Sequence, residues 1–343
     1  MDMPGAIARV IDRTDLSKEE MLMVMRLIMT GEATPAQIGG FLVGLRMKGE
    51  SIDEIVAAAT VMRELSARVT ANVPLLVDTC GTGGSGSNKF NVSTAAVFVT
   101  AATGVAVAKH GNRGASSISG SADLLEAAGA NIMLTPEQVA RCIETIGVGF
   151  LFALNHHSAM KHAIGPRREM VVRTIFNILG PLTNPAGATR QVLGVYDRKW
   201  VRPLAEVLKS LGSEHVLVVH SADGLDEISI AAETWVAELK AGEISEYTVS
   251  PQDLGVAQAE LASLIIGSPA ESLNMVRQAL SGEHEVASNI VALNAGAAIY
   301  VAGASLDLKA GVVMAQDAIA SGMAMEKFRD FIDFTQQITS EDQ

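Results

Sequence analysis

Cysteine and aromatic residues are scarce in this 343-residue sequence, and basic residues are outnumbered by acidic ones. The two cysteines, Cys80 and Cys142, lack the spacing of a metal site, and so few of them favour a reducing compartment over a disulfide-stabilised secreted fold. A formal net charge of −12 argues against nonspecific binding to nucleic acid or to anionic membranes, because both attract basic surfaces. Any phosphate binding must therefore depend on a local group of residues.

Long hydrophobic runs and targeting signals are also missing. The most apolar stretch, residues 92–108, is interrupted by Ser93, Thr100 and Thr103, which predicts a helix followed by a buried strand rather than a membrane span. The first residues lack the basic and apolar segments of a signal peptide. We therefore expect a cytoplasmic protein with neither a membrane nor a nucleic acid as its partner.

Residues 1–73 carry clear helix punctuation. The segments S-K-E-E at 17–20 and S-I-D-E at 51–54 are capping boxes, and Thr34-Pro35 combines a cap with a first-turn proline. This pattern predicts a small N-terminal helical domain, which we expect part of residues 160–190 to complete.

The second predicted helix, residues 21–29, is apolar on more faces than one core contact requires. The excess favours a subunit interface on the helical domain.

From residue 74 to residue 343 the pattern changes to short apolar runs that alternate with helices. Strands separated by helical crossovers predict an α/β domain with a mainly parallel central sheet. The predicted strands are 75–77, 105–108, 148–152, 191–195 and 216–219. From about residue 269 the chain is again expected to be helical.

A glycine-rich segment at residues 78–94, DTCGTGGSGSNKFNVST, is predicted to follow a buried strand and precede a helix. Successive glycines let backbone N–H groups point at an anion, and the start of the helix adds its positive end. The segment therefore predicts phosphate binding, with a plain glycine-rich turn as the structural alternative.

Two known phosphate motifs fit this segment poorly. The G-x-G-x-x-G pattern at residues 81–86 matches a dinucleotide fingerprint, but residues 87–89 prolong the loop where a helix should begin. The next strand is followed by Lys109 and His110 rather than by an acidic residue for a ribose hydroxyl. A Walker loop would need lysine after Gly86, where Ser87 stands.

A second polar segment, KHGNRGASS at residues 109–117, is predicted to follow the next strand. The carboxyl ends of parallel strands share one edge of a sheet, so both segments should meet there. Arg113 could grip two oxygens of a pyrophosphate, and Lys109 would act as a compact charge. The alternative is a solvated basic turn.

Adjacent carboxylates, Asp226 and Glu227, lie just beyond the strand predicted at 216–219. Their repulsion would be relieved by a divalent cation, and Mg2+ prefers one or two protein carboxylates together with phosphate and water. Ser93 could add a hydroxyl ligand. Alone, such a pair is usually solvated surface, but beside two anion-binding loops it predicts a magnesium site.

These three motifs together resemble those of the anthranilate phosphoribosyltransferase family. The resemblance runs across nearly the whole chain and includes AMK at residues 159–161 and RTIFNILGPLTNP at residues 173–185. It implies the class II nucleoside phosphorylase fold and a homodimer joined through the helical domains. It also implies an Mg2+-dependent transfer, in tryptophan biosynthesis, of the phosphoribosyl group of 5-phosphoribosyl 1-pyrophosphate (PRPP) to anthranilate.

The resemblance also implies site residues. The implied metal ligands are Ser93, Asp226 and Glu227, and the implied catalytic cations are Lys109 and Arg113. The implied anthranilate site consists of Gly81, His110, Asn112, Arg167, Gly180 and Pro181, with Arg167 taking the carboxylate. The implied donor-binding residues are Gly81, Thr82, Gly84, Ser85, Lys89, Asn91, Val92, Ser93, Thr94, Lys109, His110, Gly111, Asn112, Arg113, Gly114, Ala115, Ser116, Ser117 and Ser121.

One departure is visible, because many relatives carry aspartate where this chain has Ser85. The resemblance therefore implies no carboxylate role at that position, although the Ser85 hydroxyl can still donate to a phosphate, and no role is assigned to His156. Two other functions are compatible with parts of this sequence. A pyrimidine nucleoside phosphorylase has a similar fold, but Arg167 and the 173–185 run favour a carboxylated acceptor. A noncatalytic nucleic-acid-binding relative is opposed by the net charge of −12 and by the complete set of loops.

Overall fold

The protein is described by a computed structural model that covers residues 1–84, 86–114 and 118–341, with side chains up to residue 338. In that part of the chain the strands are β1 (Leu76–Gly81), β2 (Ala106–Gly111), β3 (Val148–Phe152), β4 (Arg190–Gly194), β5 (His215–Ser221), β6 (Thr234–Lys240) and β7 (Glu243–Val249). The α-helices are α1 (Met3–Ile11), α2 (Lys18–Met29), α3 (Pro35–Lys48), α4 (Ile52–Glu64), α5 (Val92–Ala102), α6 (Ser121–Ala127), α7 (Pro136–Ile146), α8 (Ala153–His156), α9 (Lys161–Met170), α10 (Phe176–Leu179), α11 (Val201–Ser210), α12 (Pro269–Ser281), α13 (Glu285–Val301), α14 (Leu308–Ala320) and α15 (Met323–Glu341).

The strands form one sheet in the order β3-β2-β1-β4-β5-β6-β7. Strands β1 to β5 are parallel, and β6 and β7 are antiparallel additions at one edge. Strand β2, which follows β1 along the chain, lies on one side of β1, and β4 lies on the other side of β1. Such a switch in strand order opens a crevice at the carboxyl ends of the strands, where ligands bind in open α/β sheets.

The predicted α/β architecture and mainly parallel sheet are confirmed, and so are the five predicted strands. The hairpin of β6 and β7 was not predicted. The strand ends were also wrong, because Lys109, His110 and Gly111 lie inside β2 rather than in a loop after it. The predicted strand ends where the apolar run ends, before the polar Lys109. Lys109 is nevertheless only 3% exposed, and its ammonium donates to the Thr79 carbonyl at 2.5 Å. The neighbouring strand thus supplies its partner.

The N-terminal helices form the predicted helical bundle. Both capping boxes are present, with Ser17 accepting from the Glu20 amide and Ser51 from the Glu54 amide. Helix α9, much later in the chain, packs against α2 and α3. The bundle therefore includes a segment that is remote in sequence.

Most of the apolar surface of α2 belongs to the core of the protomer. Met21, Val24, Met25 and Ile28 are fully buried, whereas Met23 is exposed. The burial accounts for most of the excess apolar character of this helix without a second subunit.

Two main apolar cores lie on opposite faces of the sheet. One joins the sheet to α5 and the C-terminal helices α12 to α15, and the other joins it to α11 and the helical bundle. Cys80 and Cys142 are both buried and free. None of the described helices combines the length and the apolar character that crossing a lipid bilayer requires.

Candidate active site

The glycine-rich loop closes around Asp226 at the carboxyl end of β1. The Gly83 amide donates to the Asp226 carboxylate at 3.0 Å. A Cβ atom on Gly81 would lie 2.5 Å from the same carboxylate, and one on Gly194 would lie 1.7 Å from the Asp226 carbonyl oxygen. Gly81 and Gly194 face each other across β1 and β4, so two paired glycines make room for this aspartate.

Glu227 is held at the start of helix α5. The Ser93 amide in the first turn donates to Glu227 Oε1 at 3.2 Å, which places a carboxylate at the positive end of the helix. The Ser93 hydroxyl in turn accepts from Lys109 Nζ at 3.3 Å. The glycine loop, β2 and the turn after β5 therefore converge on one point, as the sequence predicted.

Lys89 supplies the cation nearest to the two carboxylates among the described residues. Its Nζ lies 3.1 Å from Glu227 Oε2 and 3.7 Å from Asp226 Oδ1, and its side chain is only 8% exposed. The contact with Glu227 is an ion pair between a lysine and a carboxylate that are both largely buried. The family resemblance predicts Lys89 at the donor, whereas in the structure it pairs with the two carboxylates.

Burial sets the electrostatics of this group. It raises the pKa of Glu227, opposed by the Lys89 charge and reinforced by that of Asp226. For Lys109 burial lowers the pKa, with the nearby carboxylates of Asp78, Glu227 and Asp226 acting in the other direction. For Lys89 burial also opposes the charge, but the combined attraction of Glu227 and Asp226 exceeds it and raises the pKa. Lys89 is therefore charged at neutral pH.

The carboxylates are chemically suited to magnesium. Asp226, Glu227 and Ser93 line a small cavity of about 20 Å³, which is room for one water or ion. All three offer hard oxygen atoms of the kind that Mg2+ prefers, and Glu227 Oε2 is held among the described residues by its ion pair with Lys89, at 3.1 Å. In the described residues no cluster of three His, Cys, Asp or Glu side chains forms a metal site, so water or substrate oxygen would have to complete the ligand set.

A second polar network fixes the end of the glycine-rich loop. Asn91 donates to the Ser119 carbonyl at 3.0 Å, and its side-chain oxygen accepts from the hydroxyls of Ser119 and Ser272. Thr94 donates to the Ser121 hydroxyl at 3.0 Å. These predicted donor-site residues thus join α5 to the segment that begins α6.

Arg113 does not point at the carboxylate pair in this structure. It pairs with Glu126, with its Nη2 at 2.9 Å from Oε1, and with Asp123 at 3.3 Å, and its side chain is 46% exposed. The Gly114 amide also donates to Asp123, and Asn112 accepts from the amide of Arg113. The role of Arg113 at the leaving group stays a prediction.

Strand alternation sends Lys109 and His110, neighbours in β2, to opposite faces of the sheet. Successive strand residues point to opposite faces, so Lys109 reaches Ser93 of α5 whereas His110 reaches the Gly180 carbonyl, with its Nδ1 at 3.1 Å. Pro181 follows and accepts from Gln191 at 2.7 Å. Two predicted binding functions thus come from adjacent residues.

The face of β2 that carries His110 is lined by two imidazoles with lowered pKa values. Burial lowers the pKa of His110 well below its usual value, and it lowers the pKa of His157 to about 4. Their rings lie 5.1 Å apart, and within the described residues neither Nε2 has a hydrogen-bond partner. His156 instead caps a loop, with its Nδ1 at 2.8 Å from the Ala67 carbonyl oxygen.

Arg167 is the cation on this side. Its guanidinium lies 5.2 Å from the centre of the Phe176 ring, on the helix that leads to Gly180. Burial lowers its pKa, and no carboxylate in the described residues pairs with it. A half-buried arginine without an anion is suited to bind a carboxylate.

Two residues with clear structural roles at the site are not among the predicted site residues. Arg173 donates to the Gly84 carbonyl at 2.6 Å and stacks 4.3 Å from the centre of the Tyr196 ring, so it ties the glycine-rich loop to the segment that follows β4. Asp78 is fully buried in β1 and accepts from the His110 amide at 3.2 Å. Neither contact can be predicted from a local sequence pattern, because each joins segments that are remote in sequence.

The remaining predicted residues are placed as follows. Thr82 donates its amide to the Gly194 carbonyl at 2.8 Å, Val92 begins α5, and Gly111 ends β2 against the Phe150 ring. Ser85, Ala115, Ser116 and Ser117 lie outside the described residues.

Comparison with known proteins places the chain in a family. Two family models match it, the glycosyl transferase family helical bundle domain at residues 4–66 and the glycosyl transferase family α/β domain at residues 73–325. Among curated relatives, anthranilate phosphoribosyltransferase of Hahella chejuensis is 62% identical, covering 98% of both chains. That of Alkalilimnicola ehrlichii is 60% identical, covering 98% of this chain and all of the relative.

Solved structures of the same enzyme are also similar to this chain. The crystal structure of anthranilate phosphoribosyltransferase from Thermus thermophilus is 44% identical with a TM-score of 0.91, covering 96% of this chain and 99% of that one. The enzyme from Saccharomyces cerevisiae in complex with PRPP and Mg is 25% identical with a TM-score of 0.87, covering 98% of both chains. The chain therefore belongs to the anthranilate phosphoribosyltransferase family, within the glycosyl transferase family that combines these two domains.

Proposed function

We propose that this protein transfers the 5-phosphoribosyl group from PRPP to anthranilate, giving N-(5-phosphoribosyl)anthranilate and pyrophosphate. The observation that carries the proposal is that the Gly83 amide donates to Asp226 and the Ser93 amide to Glu227, while Lys109 donates to the Ser93 hydroxyl beside them. Arg167, which pairs with no carboxylate in the described part of the chain, supplies a match for the carboxylate of anthranilate.

The proposed metal ligands in the protein are Ser93, Asp226 and Glu227. Bound there with PRPP, Mg2+ would neutralise the negative charge that develops on the departing pyrophosphate. The yeast relative, which was solved with PRPP and Mg, supports this proposal.

The protein's own contribution is position and charge. Loss of pyrophosphate leaves positive charge on the ribose and negative charge on the leaving group. Lys109, the loop amides and Arg113 would stabilise the leaving group, and Arg113 would have to exchange its α6 carboxylates for phosphate oxygens. Arg167 would hold anthranilate so that its amine faces the anomeric carbon. The aromatic amine is neutral near pH 7, so a general base is unnecessary.

We also propose the domain boundaries and setting of the molecule. Residues 1–73 would form the helical domain together with part of residues 160–190, and residues 74–343 the phosphoribosyl-binding domain. The packing of α9 on α2 and α3 supports this division. The protein would act in the cytoplasm, in tryptophan biosynthesis.

Enzyme assay tests the activity directly. Purified protein with PRPP and Mg2+ should consume anthranilate, seen as a loss of anthranilate fluorescence, and a chelator should stop the reaction until Mg2+ is restored. The double variant Asp226→Asn with Glu227→Gln should lose Mg2+-dependent turnover. Full activity in that variant would refute the metal site, and phosphorolysis of thymidine in place of this reaction would refute the proposed function.

Arg167→Ala should raise the KM for anthranilate by about 10- to 100-fold, because a charged hydrogen bond to a carboxylate is worth roughly 1.5–3 kcal/mol. The KM for PRPP should change little. Arg168→Ala is the matched control, since Arg168 is the exposed neighbour on the same helix. An effect of Arg167→Ala confined to PRPP would contradict the acceptor assignment.

A homodimer through the helical domain is supported by exposed apolar side chains on α1 and α3, which pack on each other. Ile11 is 68% and Met47 is 73% exposed. Light scattering at micromolar concentration should give twice the mass of the chain, and Met47→Glu should give the monomer. Met133→Glu, at an exposed methionine of the other domain, should stay dimeric. A monomeric wild type would rule out this assembly.

A further inference from the structure

Lys89 occupies the position at which a metal would neutralise the two carboxylates. It belongs to the glycine-rich loop, three residues before helix α5, and its Nζ lies 3.1 Å from Glu227 Oε2 and 3.7 Å from Asp226 Oδ1. Its side chain and both carboxylates are nearly inaccessible to water. The contact is therefore a buried ion pair rather than a surface one.

The charges explain why a cation belongs there. Two adjacent buried carboxylates are costly without a counter-charge, because solvent cannot screen their repulsion. Lys109 lies nearby, but its ammonium is engaged by the Thr79 carbonyl at 2.5 Å and by the Ser93 hydroxyl at 3.3 Å. Lys89 thus supplies the direct compensation for Asp226 and Glu227.

A lysine in this position must compete with a divalent ion. An ammonium and Mg2+ both seek the same carboxylate oxygens, and placing both cations at one pair would replace attraction by repulsion. Unlike a fixed counter-charge, a lysine has a flexible four-carbon stem and point-like charge, so it can turn to another anion such as a phosphate.

We propose that Lys89 is a tethered competitor for metal at Asp226 and Glu227. In the free protein its ammonium satisfies the carboxylates and keeps their affinity for divalent ions low. When PRPP arrives, Lys89 turns to its phosphates, and the carboxylates take the metal that enters with the donor. The proposal rests on the proposed function for its donor, but its first half concerns the free protein alone.

Binding of Mn2+ to the donor-free protein, followed by the electron paramagnetic resonance of free Mn2+, tests this role. The wild type should bind Mn2+ weakly, and Lys89→Met should bind it at least roughly tenfold more tightly, since a neighbouring opposite charge shifts such equilibria by a factor of ten or more. Lys89→Arg keeps the charge and should stay weak. Lys209→Met, which removes an exposed lysine from α11, should match the wild type.

Thermal unfolding gives a second reading of the same claim. In the presence of a chelator, Lys89→Met should have a lower melting temperature than the wild type, because the buried carboxylates lose their counter-charge. Adding Mn2+ should restore the melting temperature of this variant. The melting temperature of the donor-free wild type should change much less with Mn2+ than that of Lys89→Met. Equal Mn2+ affinity in the wild type and Lys89→Met would overturn the proposal, and so would tight binding by the donor-free wild type.

These measurements use no turnover, so they separate this proposal from the proposed function. Adding PRPP should tighten Mn2+ binding by the wild type much more than by Lys89→Met. If PRPP tightens both equally, the competition is refuted. If the protein shows the expected Mn2+ behaviour but fails to consume anthranilate, only the proposed acceptor chemistry fails.

Discussion

Burial of two adjacent carboxylates is the constraint on which the site depends. Asp226 and Glu227 are 9% and 8% exposed, so each needs partners from the protein. Asp226 takes the Gly83 amide and requires glycine at positions 81 and 194. Glu227 takes the first turn of α5. Satisfying this pair brings together β1, β4, the glycine-rich loop and α5.

A local charge balance explains how a protein with a net charge of −12 can act on a polyanion. The positive groups are placed individually: Lys109 and Lys89 at the carboxylate pair, and Arg167 on the other face of the sheet. Strand alternation in β2 keeps the proposed donor and acceptor sides apart although Lys109 and His110 are neighbours. The two substrates can therefore meet at a strand end without a basic surface.

The sequence allowed the parallel sheet and the meeting of three motifs to be predicted, because carboxyl ends of parallel strands share an edge whatever the details of packing. It did not allow the strand ends or the cation partners to be predicted. Lys109 can lie within β2 because its ammonium donates to the Thr79 carbonyl, and Arg113 pairs with Asp123 and Glu126. Such pairings depend on distances between elements, which no local pattern encodes.

The central claim is that Asp226 and Glu227 form the metal end of a donor pocket. Crystals grown with PRPP and Mn2+ would locate the metal by its anomalous scattering. We expect a metal peak in contact with both carboxylates and with the diphosphate, and we expect the Lys89 side chain to be turned away from Glu227. A donor bound elsewhere, or a metal peak remote from this pair, would contradict it.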